Sequence, residues 1–481
     1  MTEVSAESEP KSPIREIVQP FADLLHAPRA LWGVNLAYFI EGLAYFGMLT
    51  YLAIYFSDTV FQGVENPDVH SHHMVMVLTA GITIAMFVFG FIPDKIGVRP
   101  ALILALMFFL AGRIVISAAP ALGFKPAGLW SPLQLVTVGG ILLIVIGYGM
   151  YQPAAYAAVR QFTTPKTAAM GFAMLYALMN LGGYIPSYFG FVRQAVGITG
   201  TFWVFTACTV VSLVSTILIL TPKTVAHAIA GAKAAKEADS TTVGMEAKRT
   251  AATATGAPDQ QAPPESLAHR VLNVVRTHPL RDPKFSYFIF CLIPVQTLFA
   301  YNWLILPQYV ERAYRGGWIG EYYEFAVNFN PLLIFIFVPI VTAVSQKRKV
   351  YNMMIVGTLV MAAPAFLLSL GPSPWTLFGY IFIMTVGEAM WQPRFLQYAA
   401  EIAPEGRTGQ YIGVAQLPWF LTKFLVPIYS GHVLGHYCPP DGPQDTQTMW
   451  FIFGCIAIVS PILLVTARNW IGRDFKTRHD V

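Results

Sequence analysis

Charge is what this chain has least of. Asp, Glu, Lys and Arg make up 12% of its 481 residues, about half the share usual in soluble domains, while 55% are hydrophobic and mean hydropathy is +0.54. That balance indicates a membrane protein. The net charge of +5 is not a nucleic-acid footprint, because the basic residues fall in short loops between apolar runs. Cysteine is scarce too. Cys208, Cys291 and Cys455 lie inside apolar segments and Cys438 stands alone in a loop, so no disulfide framework is expected. No P-loop, nucleophile elbow, paired-His metal helix or dinucleotide fingerprint occurs. Enzyme chemistry and ATP-driven pumping are therefore without a constellation, and no cofactor or metal is expected. Residues 1–28 are polar and mixed in charge and lack the apolar core of a secretory signal, so the first span reads as an uncleaved insertion signal.

A spanning helix needs about 20 mostly apolar residues. On that length twelve spans are expected, at 30–56, 74–92, 100–119, 133–159, 167–191, 199–220, 285–310, 325–345, 351–370, 375–400, 408–435 and 448–470. They are numbered spans 1 to 12. Lys and Arg concentrate in alternate connections: Lys95 and Arg99, Lys166, the central linker, Lys347 to Lys349, Arg407, and Arg468 to Arg478. By the positive-inside rule both termini and the linker face the cytoplasm, with Lys125, Arg193, Arg312 and Arg315 as exceptions. The expected organisation is an N-terminal segment 1–28, a six-helix half 29–220, a cytoplasmic linker 221–284, a second six-helix half 285–470 and a tail 471–481. The linker is rich in Ala, Thr, Lys, Gln and Pro, and about 240–265 is expected to be disordered.

One segment occurs twice. Met150-Tyr151-Gln152-Pro153 in span 4 returns as Met390-Trp391-Gln392-Pro393 in span 10, which indicates two related halves. In span 10 this signature follows a carboxylate, Glu388, where span 4 has Tyr148. An ionised group inside an apolar run is costly enough that it normally faces a partner or a water-filled pathway.

Between spans 2 and 3 lies GFIPDKIGVRP, with Gly90, Asp94, Lys95, Gly97 and Arg99 in the pattern G-x-x-x-D-K-x-G-x-R. The glycines permit a tight turn, Asp94 can cap it or meet a cation across the halves, and Lys95 and Arg99 can anchor to anionic lipid. This is the conformational loop signature of the major facilitator superfamily, which the sequence resembles throughout. That resemblance implies an all-α membrane fold of twelve transmembrane helices in two pseudo-symmetric six-helix halves, enclosing a cavity open alternately to each side.

Shorter matches resemble the proton-coupled oligopeptide transporters: FNPLLIFIFVP from Phe329 in span 8, LYALMNLG from Leu175 in span 5, Gly387-Glu388 with the following Pro393 in span 10, and Gln296 and Trp303 in span 7. There are two departures. That family's span 1 carries E-x-x-E-R, where this chain has Tyr38, Glu41 and Gly42. Its span 4 carries a Lys for the peptide carboxylate, where this chain has Gln152. One proton-coupling carboxylate and the main carboxylate anchor are thus missing.

Depth arithmetic singles out three charged residues. At 1.5 Å rise per residue, Glu41, Glu388 and Lys423 lie ~17, ~20 and ~22 Å from the ends of spans 1, 10 and 11, near the middle of a core of roughly 30 Å. A buried carboxylate near a buried ammonium can be accommodated as a pair, so Lys423 is expected to neutralise Glu388 in one state. Glu41 stands alone in its half, with Tyr38 and Tyr45 beside it. Arg113 in span 3 is a possible partner, although a structural role is expected for it. Tyr148, Gln152, Tyr156 and Arg160 recur every four residues on span 4, as do Tyr176, Asn180 and Tyr184 on span 5. Such stripes suit an amphipathic organic solute. His70, His72 and His73 read as solvated residues of the first outer loop.

The expectation is a secondary transporter in the cell membrane (the inner membrane of a Gram-negative cell), monomeric, driven by a proton gradient and carrying no nucleic acid. It would be a symporter of small organic solutes, short peptides or amino-acid-like compounds being what the resemblance implies. Proton coupling falls to Glu41 and Glu388. Substrate binding falls to Tyr38, Tyr45, Tyr148, Gln152, Tyr156, Asn180, Gln296, Trp303, Asn330, Glu388, Trp391 and Lys423, on spans 1, 4, 5, 7, 8, 10 and 11. The alternatives are a proton antiporter exporting amphipathic organics or drugs, and a non-transporting membrane receptor or scaffold.

Overall fold

The computed structural model describes residues 27–163, 168–235, 278–345, 348–401, 411 and 414–471. The expected disorder over 240–265, the chain ends, and Lys166, Lys347 and Arg407 fall outside them. Each expected span has its helix. Those of the first half are Arg29–Tyr55, Pro67–Phe89, Val98–Ala118, Pro132–Phe162, Ala168–Tyr184 and Gly190–Ile219; those of the second include Phe329–Ser345, Val350–Ala362, Pro374–Glu401, Leu417–Tyr437 and Thr446–Thr466. Span 7 is broken into Pro283–Phe290, Ile293–Leu304 and Leu306–Ala313. Pro294 and Pro307 sit at the start of the second and third pieces, where each removes a backbone donor the helix would need to run on unbroken. Asp445 starts span 12 by accepting the Thr448 N–H at 3.1 Å, and hydrogen bonding from the Thr448 side chain and backbone lowers the pKa of its carboxyl.

Among the described residues nine helical stretches are long and apolar enough to cross a bilayer. One, Met174–Ile219, has 46 residues and bends through Ile185–Phe189 and at Gly197, so it makes two passes, spans 5 and 6. Spans 10 and 11 have the length but lose apolarity to Glu388, Arg394 and Lys423.

Helix packing repeats with an offset of six spans. Spans 3 and 4 pack together as 9 and 10 do, 2 and 4 as 8 and 10, 3 and 6 as 9 and 12, and 1 and 5 as 7 and 11. Between the halves, span 2 lies along span 11 and span 5 along span 8, which is again one relation seen twice. The duplicated segment shares this geometry. A Cβ on Gly147 would lie 2.7 Å from the Phe109 ring and 2.9 Å from the Ala105 carbonyl; one on Gly387 would lie 2.2 Å from the Met361 nitrogen and 2.7 Å from the Gly357 carbonyl. Glycine at these two positions lets spans 3 and 4, and 9 and 10, touch backbone to backbone. Gly387→Ala must push spans 9 and 10 apart. It is expected to cost about 1–3 kcal/mol, read as a lower melting temperature of the purified protein.

The face that bears the start of span 1, the end of span 12 and the linker is here the linker face; the opposite one is the far face. On the linker face Gly97, at φ 88, turns the chain from the short helix Ile92–Ile96 into span 3. Arg99 does not reach towards lipid as expected. Its Nε donates to the Leu220 carbonyl at 2.5 Å, holding the loop to the end of span 6. Lys95 lies 4.7 Å from the Phe91 ring centroid. Residues 222–235, at the start of the expected linker, form a further helix.

Candidate functional site

A cavity of about 250 Å³ lies between the halves. All the expected binding residues line it except two: Tyr38, Tyr45, Tyr148, Gln152, Tyr156, Asn180, Trp303, Asn330, Glu388 and Lys423. The span 4 stripe runs straight down it. Tyr156 also lines a second cavity of about 620 Å³, whose rim holds Asp94, Arg160 and Lys233, all exposed on the linker face. The central cavity therefore continues to the linker face.

Gln296 and Trp391 are the two that the structure places elsewhere. Trp391 is 1% exposed and packs towards span 9, its Nε1 donating to the Met361 sulfur at 3.1 Å. Its counterpart Tyr151 is equally buried, while the next residue in each copy, Gln152 and Gln392, faces the cavity. The aromatic of the repeat anchors helix to helix, and the glutamine is the cavity residue. Gln296 is buried between spans 7 and 11, where it accepts from the Thr422 hydroxyl at 3.5 Å. Span 2 was not expected in the wall, yet Ile82, Thr83 and Met86 line it. Those residues are apolar or small, and periodicity gave no reason to separate them from lipid-facing ones.

Glu388 is 2% exposed and accepts from Asn330 Nδ2 at 3.1 Å; the same amide donates to Thr385 Oγ1 at 2.9 Å. No ion pair joins it to Lys423 among the described residues, so the expected pair is not formed in this state. Both line the cavity, and matching depth did not bring them into contact.

Glu41 is the reverse case. Set alone in its half with Arg113 as a possible partner, it is gripped on both oxygens: Arg113 Nη1 and Nη2 donate at 2.8 and 2.6 Å, and the Tyr148 hydroxyl donates to Oε1. Arg113 also donates to Thr209 of span 6, and its guanidinium stands 5.4 Å from the Phe109 ring centroid. Carboxylate and guanidinium are 0% and 1% exposed. The next residue, Gly42, shows why the cation comes from span 3: a Cβ there would lie 2.5 Å from the Met179 carbonyl, so span 5 leaves no room for a side chain. Removing one partner of such a buried pair costs about 3–5 kcal/mol.

The far face is closed by hydrogen bonds between the halves. Arg312 of span 7 donates to both oxygens of Asp68 on span 2, at 2.7 Å each. Gln308 Nε2 donates to Asp68 Oδ1 at 2.8 Å. His72 lies 2.9 Å from Gln308 Oε1 and 2.8 Å from the Ser430 hydroxyl. Beside this cluster, Arg193 pairs with the fully buried Glu324, and the Thr50 hydroxyl donates to Asn328 Oδ1 at 3.1 Å. His72 was expected in solvent, and it is 0% exposed. Span 2 begins at Pro67 rather than near 74, so its first two turns are polar because they meet the other half. One signal was available: Arg193, Arg312 and Arg315 broke the charge rule, and each is paired with an acid.

Two helical halves related by a repeat, closed together at one face and parted around a midplane cavity at the other, define a secondary transporter. The chain belongs to the Major Facilitator Superfamily, whose model matches residues 63–427. No curated protein matches it in sequence. Its fold is that of a crystal structure of the peptide transporter POT in complex with sulfate (17% identity, TM-score 0.66, covering 93% of this chain and 95% of that one). It is also similar to a POT family transporter in complex with 5-aminolevulinic acid (19%, 0.65, 92% and 97%) and to the POT family transporter PepTSo (13%, 0.67, 93% and 99%).

Proposed function

We propose that this transporter is a proton-coupled symporter of small zwitterionic organic solutes, amino-acid-like compounds or short peptides. One observation carries the reading: Glu388 and Lys423, of opposite charge, line one cavity without pairing to each other. A solute with an amine at one end and a carboxylate at the other would satisfy both, the amine at Glu388 and the carboxylate at Lys423. The tyrosines and Trp303 supply apolar contact along its length. The 5-aminolevulinic acid bound by the related structure has these two ends. Glu388 takes the proton together with the solute: protonation removes the cost of several kcal/mol of burying an ionised carboxylate without a counter-ion, and the neutral carboxyl still has an oxygen that accepts from the solute's ammonium. The far face is then the outer one, the termini are cytoplasmic, the membrane is the cell membrane, and a single chain suffices because the cavity is complete within it.

The test is a thermal-shift screen of purified protein against dipeptides, amino acids, 5-aminolevulinic acid and sugars, followed by uptake into liposomes under an imposed pH gradient. A zwitterion is expected to raise the melting temperature and to accumulate on the alkaline side. Capping either its amine or its carboxylate is expected to weaken binding by about tenfold or more, the worth of one charge-assisted hydrogen bond. Movement of amphipathic cations against the proton flow would establish the antiport alternative instead, and binding without counterflow would establish a receptor.

A further inference from the structure

Glu41 has no path to the cavity of its own. Its oxygens are taken up by Arg113 and by the Tyr148 hydroxyl, and Tyr148, not Glu41, lines the cavity. Other titratable groups stand close enough to sense its charge: Tyr38 and Tyr45 of its own span, Tyr151 of span 4 and Cys208 of span 6. None of them is a cation that could replace Arg113. On the side of span 5, Gly42 packs against the Met179 backbone. A proton arriving on Glu41 would leave the Arg113 guanidinium buried without its counter-ion, in a pocket where, among the described residues, Thr209 is its one other acceptor.

A tyrosine hydroxyl has one proton and two lone pairs. With the proton committed to Glu41, Tyr148 can only accept from whatever else it meets. We infer that Glu41 is a positioning residue: fixed by Arg113, it holds the Tyr148 hydroxyl so that its oxygen accepts an N–H or O–H donor of the solute, and the moving proton is left to Glu388. The inference rests on the symport reading for its second part only. The duplicated segment agrees with it. Tyr148 stands where Glu388 stands in the other half, so at this register each half presents an acceptor to the cavity. In the first half the acceptor is a hydroxyl whose charge has been moved back to Glu41.

The experiment combines Glu41→Gln, Arg113→Gln, the double variant and Tyr148→Phe. Each single charge removal is expected to lower the melting temperature, and the double variant to recover most of that loss. Losses that simply add would overturn the pairing. In liposomes the double variant is expected to keep the wild-type proton-to-solute ratio with a KM raised roughly tenfold, the worth of one hydrogen bond. Counterflow retained with gradient-driven accumulation lost would make Glu41 a proton carrier and sink the inference. Should the double variant not fold, Tyr148→Phe decides, since it leaves the ion pair intact. It should raise KM for amine-bearing solutes while the pH profile stays put, and a displaced pH profile counts against the idea. If the wild type itself shows no gradient-driven uptake, the symport reading fails; the melting cycle and the KM measured in counterflow still judge the role of Glu41.

Discussion

Glu388→Gln is expected to abolish gradient-driven accumulation while leaving exchange of labelled solute intact. One pH unit is worth about 1.4 kcal/mol per proton. With one coupled proton, a gradient of ~2 pH units therefore sustains at most about hundredfold accumulation, and the variant should bring this to unity. The substitution is nearly isosteric. The Gln oxygen can still accept from Asn330 Nδ2, as Glu388 Oε2 does at 3.1 Å, so packing of spans 8 and 10 should survive. What disappears is the choice between a charged and a neutral side chain. With no cation paired to Glu388 among the described residues, that choice is free to depend on proton and solute. An amine-bearing solute should still bind the variant, because the amide oxygen accepts as the protonated carboxyl does. Accumulation that persists unchanged in liposomes would remove Glu388 from proton coupling.

How far the molecule could be read from its residues follows from what helical spacing encodes. Length and hydropathy place a helix at each expected span because the bilayer thickness sets one length scale for all of them. The repeat in spans 4 and 10 marks the two halves because both copies carry the same close approach of glycine to a neighbouring helix. Tyr148, Gln152 and Tyr156, four residues apart on span 4, mark the cavity wall because such a stripe shares one side of a helix. Depth, by contrast, is a single coordinate. Glu388 and Lys423 share it and do not meet; Glu41 and Arg113 meet although the whole of span 2 separates them in sequence. Rotation about the helix axis and the placing of neighbours decide contact, and neither is written in one helix. Hydropathy also misplaced the start of span 2. Asp68, Ser71, His72 and His73 look like a loop until the other half is packed against them, where Asp68, Ser71 and His72 become buried.

Arg312→Gln is expected to open the far face. In the closed arrangement Arg312 and Asp68 are each 4% exposed, and the guanidinium also donates to the Cys438 carbonyl at 2.9 Å. Removing the cation leaves Asp68 buried against Gln308 alone, whereas in a far-face-open state water would solvate it. The penalty, about 3–5 kcal/mol for a broken buried pair, therefore falls on one conformation only. A bias of that size moves a two-state equilibrium by roughly 10²–10⁴. Spin labels at Gln62 and Gln444, both exposed, with the native cysteines replaced by serine, would report it as a shift of the distance distribution to longer values. Asp68→Asn combined with Arg312→Gln removes both charges and should return much of the population to the closed form, because no unpaired ion is then buried. Gradient-driven uptake by the single variant should fall by at least tenfold, since a transporter held open on one face cannot complete its cycle. A distance distribution identical to wild type would mean that Arg193, Glu324 and the packing of spans 2 and 11 close the far face without this pair.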